Sequence, residues 1–145
     1  MHEAVSRQLF DQAIAGLTQE LCENRGWRLV DQAFPVLDVE FTAATRTSMR
    51  VRMTCDGWNG VPPAVSFHSA DGTPLPELPV GPQGQFNNSI HPGTGRPFLC
   101  MVGSREYHQY PGHTEDLWDR YRDRPGYDLG GLLTQVWWIW RGARP

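Results

Sequence analysis

Lysine is missing from this sequence. All 13 basic residues of the 145-residue chain are arginine, although lysine is normally among the commonest residue types. Genomic arginine bias accounts for that blandly. A chemical account is also open: a protein holding a reactive acyl group would acylate its own amines, whereas arginine keeps charge and stays protonated. A positive surplus is missing too. The net charge is −3, which provides no electrostatic footprint for nucleic acid, so no DNA or RNA partner is expected. Long apolar runs are lacking as well. The most apolar segment, Val136-Trp137-Trp138-Ile139-Trp140, is far shorter than the roughly 18 residues that span a bilayer, and no membrane partner is expected. Finally, the three cysteines contain no C-x-x-C pair, and no apolar run follows a basic start. Both absences lead to the expectation of a reduced, cytoplasmic setting.

What is present is globular: 39 % hydrophobic, 11 % aromatic and 20 % charged residues. The length suits a single domain over residues 1–145 with a sizeable core. Val5, Leu9, Phe10, Ala13, Ile14, Leu17 and Leu21 recur at steps of three and four, which predicts an amphipathic helix over about residues 3–24, stopped by Asn24 and Gly26. Trp27 to Val30 then begins a strand. In Leu37–Phe41 and Met49–Met53, apolar and polar residues alternate. Folding back at Thr45 pairs Phe41 with Met49, Glu40 with Arg50, Val39 with Val51, Asp38 with Arg52 and Leu37 with Met53. One face of this hairpin is wholly apolar, and the other carries two carboxylate–arginine pairs that fix register on a solvated surface. Val61–His68, with Pro62 and Pro63 at its start, completes a four-strand meander.

From Asp71 to Gln85 the chain is rich in proline and glycine, including Pro74, Pro76, Pro79 and Pro82, and lacks any period. A loop of that length in a compact domain reads as a wall of a functional site. It leads through Phe86-Asn87-Asn88 to the run His91-Pro92-Gly93-Thr94-Gly95-Arg96-Pro97-Phe98-Leu99-Cys100-Met101. Two prolines and two glycines make a shaped loop that ends in a thiol. Its Gly93-Thr94-Gly95 triplet lacks the strand-to-helix context and the lysine of a phosphate loop. Cys100 with His91, His108 and His113 reads as a nucleophile beside imidazoles, as a soft metal ligand, or as a buried thiol. The spacings of 9, 8 and 5 residues match no zinc-finger or zincin pattern. Cys55 falls on the inward-facing parity at the end of its strand, Cys22 lies beside the apolar stripe of the first helix, and both read as structural. Thr114 is placed to cap a short helix running toward Arg120 and Arg122 and ended by Pro125-Gly126. A last helix starts near Asp128, with Leu129, Leu132, Leu133, Val136, Trp137 and Trp140 on one core-facing stripe and Gly142 as its stop.

The order of these elements resembles that of ubiquitin-conjugating (E2) proteins. The matching residues are Pro62-Pro63 with Phe67, His91-Pro92 nine residues before Cys100, and Phe98-Leu99-Cys100-Met101 in place of the family's apolar-Cys-Leu. The chain is similar in particular to divergent bacterial E2-like proteins of ubiquitin-like conjugation operons, some of which act in antiphage defence. The resemblance implies an α+β, UBC-like fold: an N-terminal helix, a four-stranded antiparallel meander, a long active-site loop and C-terminal helices. It implies that Cys100 accepts a ubiquitin-like modifier as a thioester from an E1-like activating enzyme and passes it to an amine of a target protein, without a cofactor or metal. His91 is the histidine of the family's His-Pro-Asn motif. The third position is Gly93, so the oxyanion-supporting asparagine is not at its usual place, and Asn87, Asn88, His108 or His113 are the candidates to supply that donor. A non-catalytic adaptor and a Cys/His metal-binding protein on the same frame are the alternatives.

Overall fold

The computed structural model describes residues 1–81 and 83–143; Pro82 of the long loop lies outside the described residues. The chain opens with two helices, α1 (Glu3–Ile14) and α2 (Gln19–Arg25), where the periodicity predicts one. The apolar stripe continues through Leu17, but Thr18 is extended and its hydroxyl accepts the backbone N–H of Leu21 at 3.2 Å. An N-cap next to Gly16 thus outweighs the helical period and restarts the helix. Gly26 closes α2 in the left-handed conformation, φ 69°. A Cβ at Gly26 would lie 2.5 Å from the carbonyl oxygen of Thr42, so no other residue fits the turn into the sheet.

Four strands follow as an antiparallel meander in the order β1 (Trp27–Asp31), β2 (Val36–Ala43), β3 (Arg46–Thr54) and β4 (Ala64–His68). The β2–β3 register pairs Phe41 with Met49, Glu40 with Arg50, Val39 with Val51, Asp38 with Arg52 and Leu37 with Met53, as the alternation predicts. The inward residues Leu37, Val39, Phe41, Met49, Val51 and Met53 are at most 2 % exposed. Each such side chain contributes about 1.5–3 kcal/mol by leaving water.

The outer face corrects one expectation, because it is not solvated. Asp38 is 1 % exposed and Glu40 is 8 % exposed. Asp38 accepts two bonds from Arg50, at 3.1 and 2.7 Å, and one from Arg52 at 3.0 Å, while Glu40 takes Arg28 from β1 at 3.2 Å. Arginine stems cover the carboxylates and their guanidinium groups satisfy them. Burial works to raise the Asp38 pKa, but the hydrogen bonds from Arg50 and Arg52 outweigh it and hold the carboxyl below its ordinary range.

Beyond β4 the long loop turns back on the sheet. Leu75 donates its N–H to the Phe67 carbonyl at 3.0 Å, and Leu78 is buried. The buried His68 ring bridges Ser66 and the carbonyl of Gly72, which fixes the loop's first turn. Then come the two-residue strands β5 (Phe86–Asn87) and β6 (Phe98–Leu99), helix α3 (Arg105–Gln109), a single 3-10 turn at Trp118–Arg120 and helix α4 (Leu129–Gly142). The helix expected from Thr114 is replaced by turns and that 3-10 segment, whose first flanking residue is Leu117. Helix α4 starts where expected: Asp128 Oδ1 accepts the N–H of Gly131 at 2.7 Å. It buries Leu129, Leu132, Leu133, Val136 and Trp140 against the sheet, with the Trp140 and Phe41 rings 5.5 Å apart. Trp138 points outward, 62 % exposed. The architecture is α+β and consistent with a UBC-like fold. Among the described residues, no helix is long and apolar enough to cross a membrane.

Candidate active site

The site is built on the shortest strands in the molecule. β5 and β6 pair Phe86 with Leu99 and Asn87 with Phe98, and the ladder is extended by Cys100 donating its N–H to the Gln85 carbonyl at 2.7 Å. Phe98 and Leu99 are buried, so they anchor the strand in the core and deliver Cys100 to the surface half-buried. The other cysteines, Cys22 and Cys55, are fully buried, and burial pushes Cys55 up to about 12.

The loop before β6 is folded around His91. Its Nδ1 accepts the N–H of Gly93 at 2.9 Å, which leaves Nε2–H to donate to the Glu106 carbonyl at 2.9 Å. The ring is 1 % exposed and packs edge-on against Phe98 and Tyr110. This commitment also accounts for glycine at position 93: a Cβ there would come within 3.2 Å of the His91 ring. His91 holds the loop, with both ring nitrogens committed to backbone groups.

Asn88 and His108 are likewise spent on backbone. Asn88 accepts the Leu78 N–H at 2.7 Å and returns a bond to the Leu78 carbonyl at 3.0 Å, clipping the long loop to β5. Asn87 accepts the N–H of Ser89. His108 donates from Nδ1 to the Asp116 carbonyl at 2.6 Å and accepts the Gly103 N–H on Nε2 at 3.1 Å. Burial holds its pKa below the ordinary histidine value, in keeping with a neutral ring.

Of the residues expected at the site, His113 is the one brought to Cys100, with its Nε2 3.9 Å from Sγ. Its backbone is fixed by a bond from its N–H to the Tyr110 carbonyl and another from Asp116 N–H to its own carbonyl. Its ring stacks on Tyr107, centroids 4.3 Å apart and planes 17° off parallel. Tyr107 donates its hydroxyl to Asp116 Oδ2 at 2.7 Å, and Tyr121 donates to the other oxygen at 2.9 Å. The hydrogen bond to Asp116 keeps the Tyr107 hydroxyl protonated, its pKa pushed up to about 12. Tyr107 and Asp116 therefore position His113, and single-residue reading passes over both because neither is conspicuous without the third dimension. Ser104 was a readable signal: its hydroxyl caps α3 at Tyr107 N–H, 3.2 Å, and donates to the Leu99 carbonyl at 2.9 Å.

The Cys100 thiol is pushed above the ordinary cysteine value by burial, with no cation to offset it. His113 is the imidazole placed beside it among the described residues. Among the described residues no group of three or more His, Cys, Asp or Glu side chains converges as metal ligands, and both ring nitrogens of His91 and His108 already have partners.

No curated protein matches the chain. Residues 84–143 match the family model described as Y4jH-like, the Y4jH family. That segment holds β5, β6, Cys100, His113 and α4, so the similarity to the Y4jH-like family is confined to the 60 residues that carry the candidate site.

Proposed function

We propose that the protein is an E2-like carrier that accepts a ubiquitin-like modifier on Cys100 and transfers it to a target amine. The observation that carries this reading is the Cys100–His113 pair: the half-buried cysteine, 3.9 Å from an imidazole, stands at the end of a His-Pro loop on a UBC-like frame. In the first step His113 Nε2 takes the thiol proton and Sγ attacks the thioester carbonyl that joins the modifier to its E1-like activator. The new C–Sγ bond forms, the activator's C–S bond breaks, and its departing thiolate recovers the proton. In the second step an amine nitrogen attacks the same carbonyl, the C–Sγ bond breaks, and the amine's surplus proton returns to the Cys100 thiolate through His113.

The lysine-free composition supports this reading, because the carrier then presents no side-chain amine of its own to the thioester. Burial raises the thiol pKa, so this reading requires His113 to take the proton before Sγ attacks. The partners are an E1-like enzyme, a ubiquitin-like modifier and a target protein, and bacterial antiphage defence is the setting the resemblance suggests. Intact-mass spectrometry under non-reducing conditions tests the reading, after incubation with ATP, activator and modifier. A thiol-sensitive adduct that disappears in Cys100→Ala is expected. Lack of an adduct with partners that charge a known acceptor leaves a non-catalytic adaptor.

A further inference from the structure

Glu106 is a buried carboxylate of the second half that the chemistry at Cys100 does not use. It is 7 % exposed, an unusual place for a carboxylate. Its carboxylate accepts the N–H of Val65 at 2.8 Å and is also bonded by its own backbone N–H, with no side-chain partner among the described residues. The neighbouring guanidinium of Arg105 is spent on Asp56 and the Pro62 carbonyl, and both nitrogens of the adjacent His91 ring are taken by backbone groups. Burial raises the Glu106 pKa above its ordinary value.

This carboxylate lines a cavity of about 270 Å³ between β4, the long loop and the segment before β6. Phe67, Leu75 and Phe98 form its apolar wall, and the exposed Arg96 lines it too. Among the described residues Arg96 has no carboxylate partner. The volume falls just under the roughly 300–1,000 Å³ of ordinary small-molecule sites, which suits a small ligand. A bare amine would meet repulsion from Arg96, and a bare carboxylate repulsion from Glu106. A ligand bearing both charges on a small apolar body meets neither.

We propose that this cavity binds the zwitterion of a small apolar α-amino acid, its ammonium on Glu106, its carboxylate on Arg96 and its side chain against Phe67, Leu75 and Phe98. The site is separate from Cys100 and stands or falls without the thioester chemistry. Titration calorimetry and saturation-transfer NMR on the full chain, with L-leucine, L-methionine and L-phenylalanine as probes, test it. At least one probe binds saturably, and Glu106→Gln weakens it by about ten-fold or more, as loss of a charge-assisted bond requires. Glutamine keeps an oxygen for the Val65 N–H, so the fold is retained, which circular dichroism checks. Two half-ligands cover the case in which that variant fails to fold: 3-methylbutylamine lacks the carboxylate of leucine and 4-methylpentanoate lacks its ammonium. Both bind the wild-type protein more weakly than leucine. Saturable binding to none of the three amino acids, or binding of 4-methylpentanoate as tight as that of leucine, would overturn the proposal.

Discussion

The meander and the site-bearing half of the chain are held together by different means. β1 to β4 form one continuous ladder of backbone hydrogen bonds. β5 and β6 have two residues each, too few to hold a shape alone. There the backbone is fixed instead by side chains that reach across it: His91 to Glu106, Asn88 to Leu78, His108 to Asp116 and Gly103, Ser104 to Leu99. A ladder spreads its stability over many equivalent bonds, whereas a clipped loop depends on single polar residues. Of the polar residues expected at the site, His91, Asn88 and His108 make these clips, and His113 is the one placed beside the Cys100 thiol.

The comparison predicts where damage is global and where it is local. Phe41→Ala, in the ladder's apolar face against Trp140, is expected to cost about 3–5 kcal/mol and to lower the denaturant midpoint for the whole chain. Asp38→Asn is next. It removes the charge that two arginines surround, and loss of one partner of a buried pair costs about 3 kcal/mol. The pH dependence follows from the sign of the shift. Asp38 is depressed when folded, so its contribution is complete above the unfolded carboxylate pKa of about 4 and drains as pH falls below it. Asp38→Asn should flatten that acid limb in urea titrations at successive pH values.

His91→Leu keeps the ring's apolar contacts in part but strands Gly93 N–H and the Glu106 carbonyl. A loss of about 1–3 kcal/mol is expected, and hydrogen exchange should accelerate at Gly93 to Arg96 while the meander amides stay protected. Equal acceleration in β2 and β3 would show that the two halves are one cooperative unit. His113→Gln is the mildest for stability, within about 0.5 kcal/mol as for other partly exposed positions. Alkylation of Cys100 against pH should show a midpoint above the ordinary thiol value in the wild type, because burial raises it and no cation opposes that. A midpoint below that value would mean that His113 and Cys100 form an ion pair at rest.

The same contrast explains how much could be read in advance. Alternation with period two is a strong local signal, and in Leu37–Phe41 and Met49–Met53 it specifies every cross-strand partner. It could not say that Asp38 would be buried, because the covering stems of Arg50 and Arg52 come from the neighbouring strand. The α4 stripe from Leu129 to Trp140 was readable for similar reasons, with Asp128 marking its start. In the first helix the period persisted across a break that only the Thr18 cap discloses. At the site, residue type named Cys100, His91, Asn88, His108 and His113 together. Which histidine meets the thiol depends on carbonyls and N–H groups far along the chain, and those carry no sequence label. Tyr107 and Asp116, which orient His113, were legible only after their ring and carboxylate were placed beside it.

The central claim is that Cys100 carries an acyl group with His113 as its base. It is tested most directly by timing the thiol-labile mass gain of wild type, Cys100→Ala and His113→Gln with ATP, activator and modifier. The account predicts a thiol-labile adduct on the wild type, none on Cys100→Ala, and on His113→Gln the same adduct formed about 10²-fold or more slowly at neutral pH, the usual contribution of a positioned base. An adduct that persists in Cys100→Ala, or one that forms on His113→Gln at the wild-type rate, would refute it.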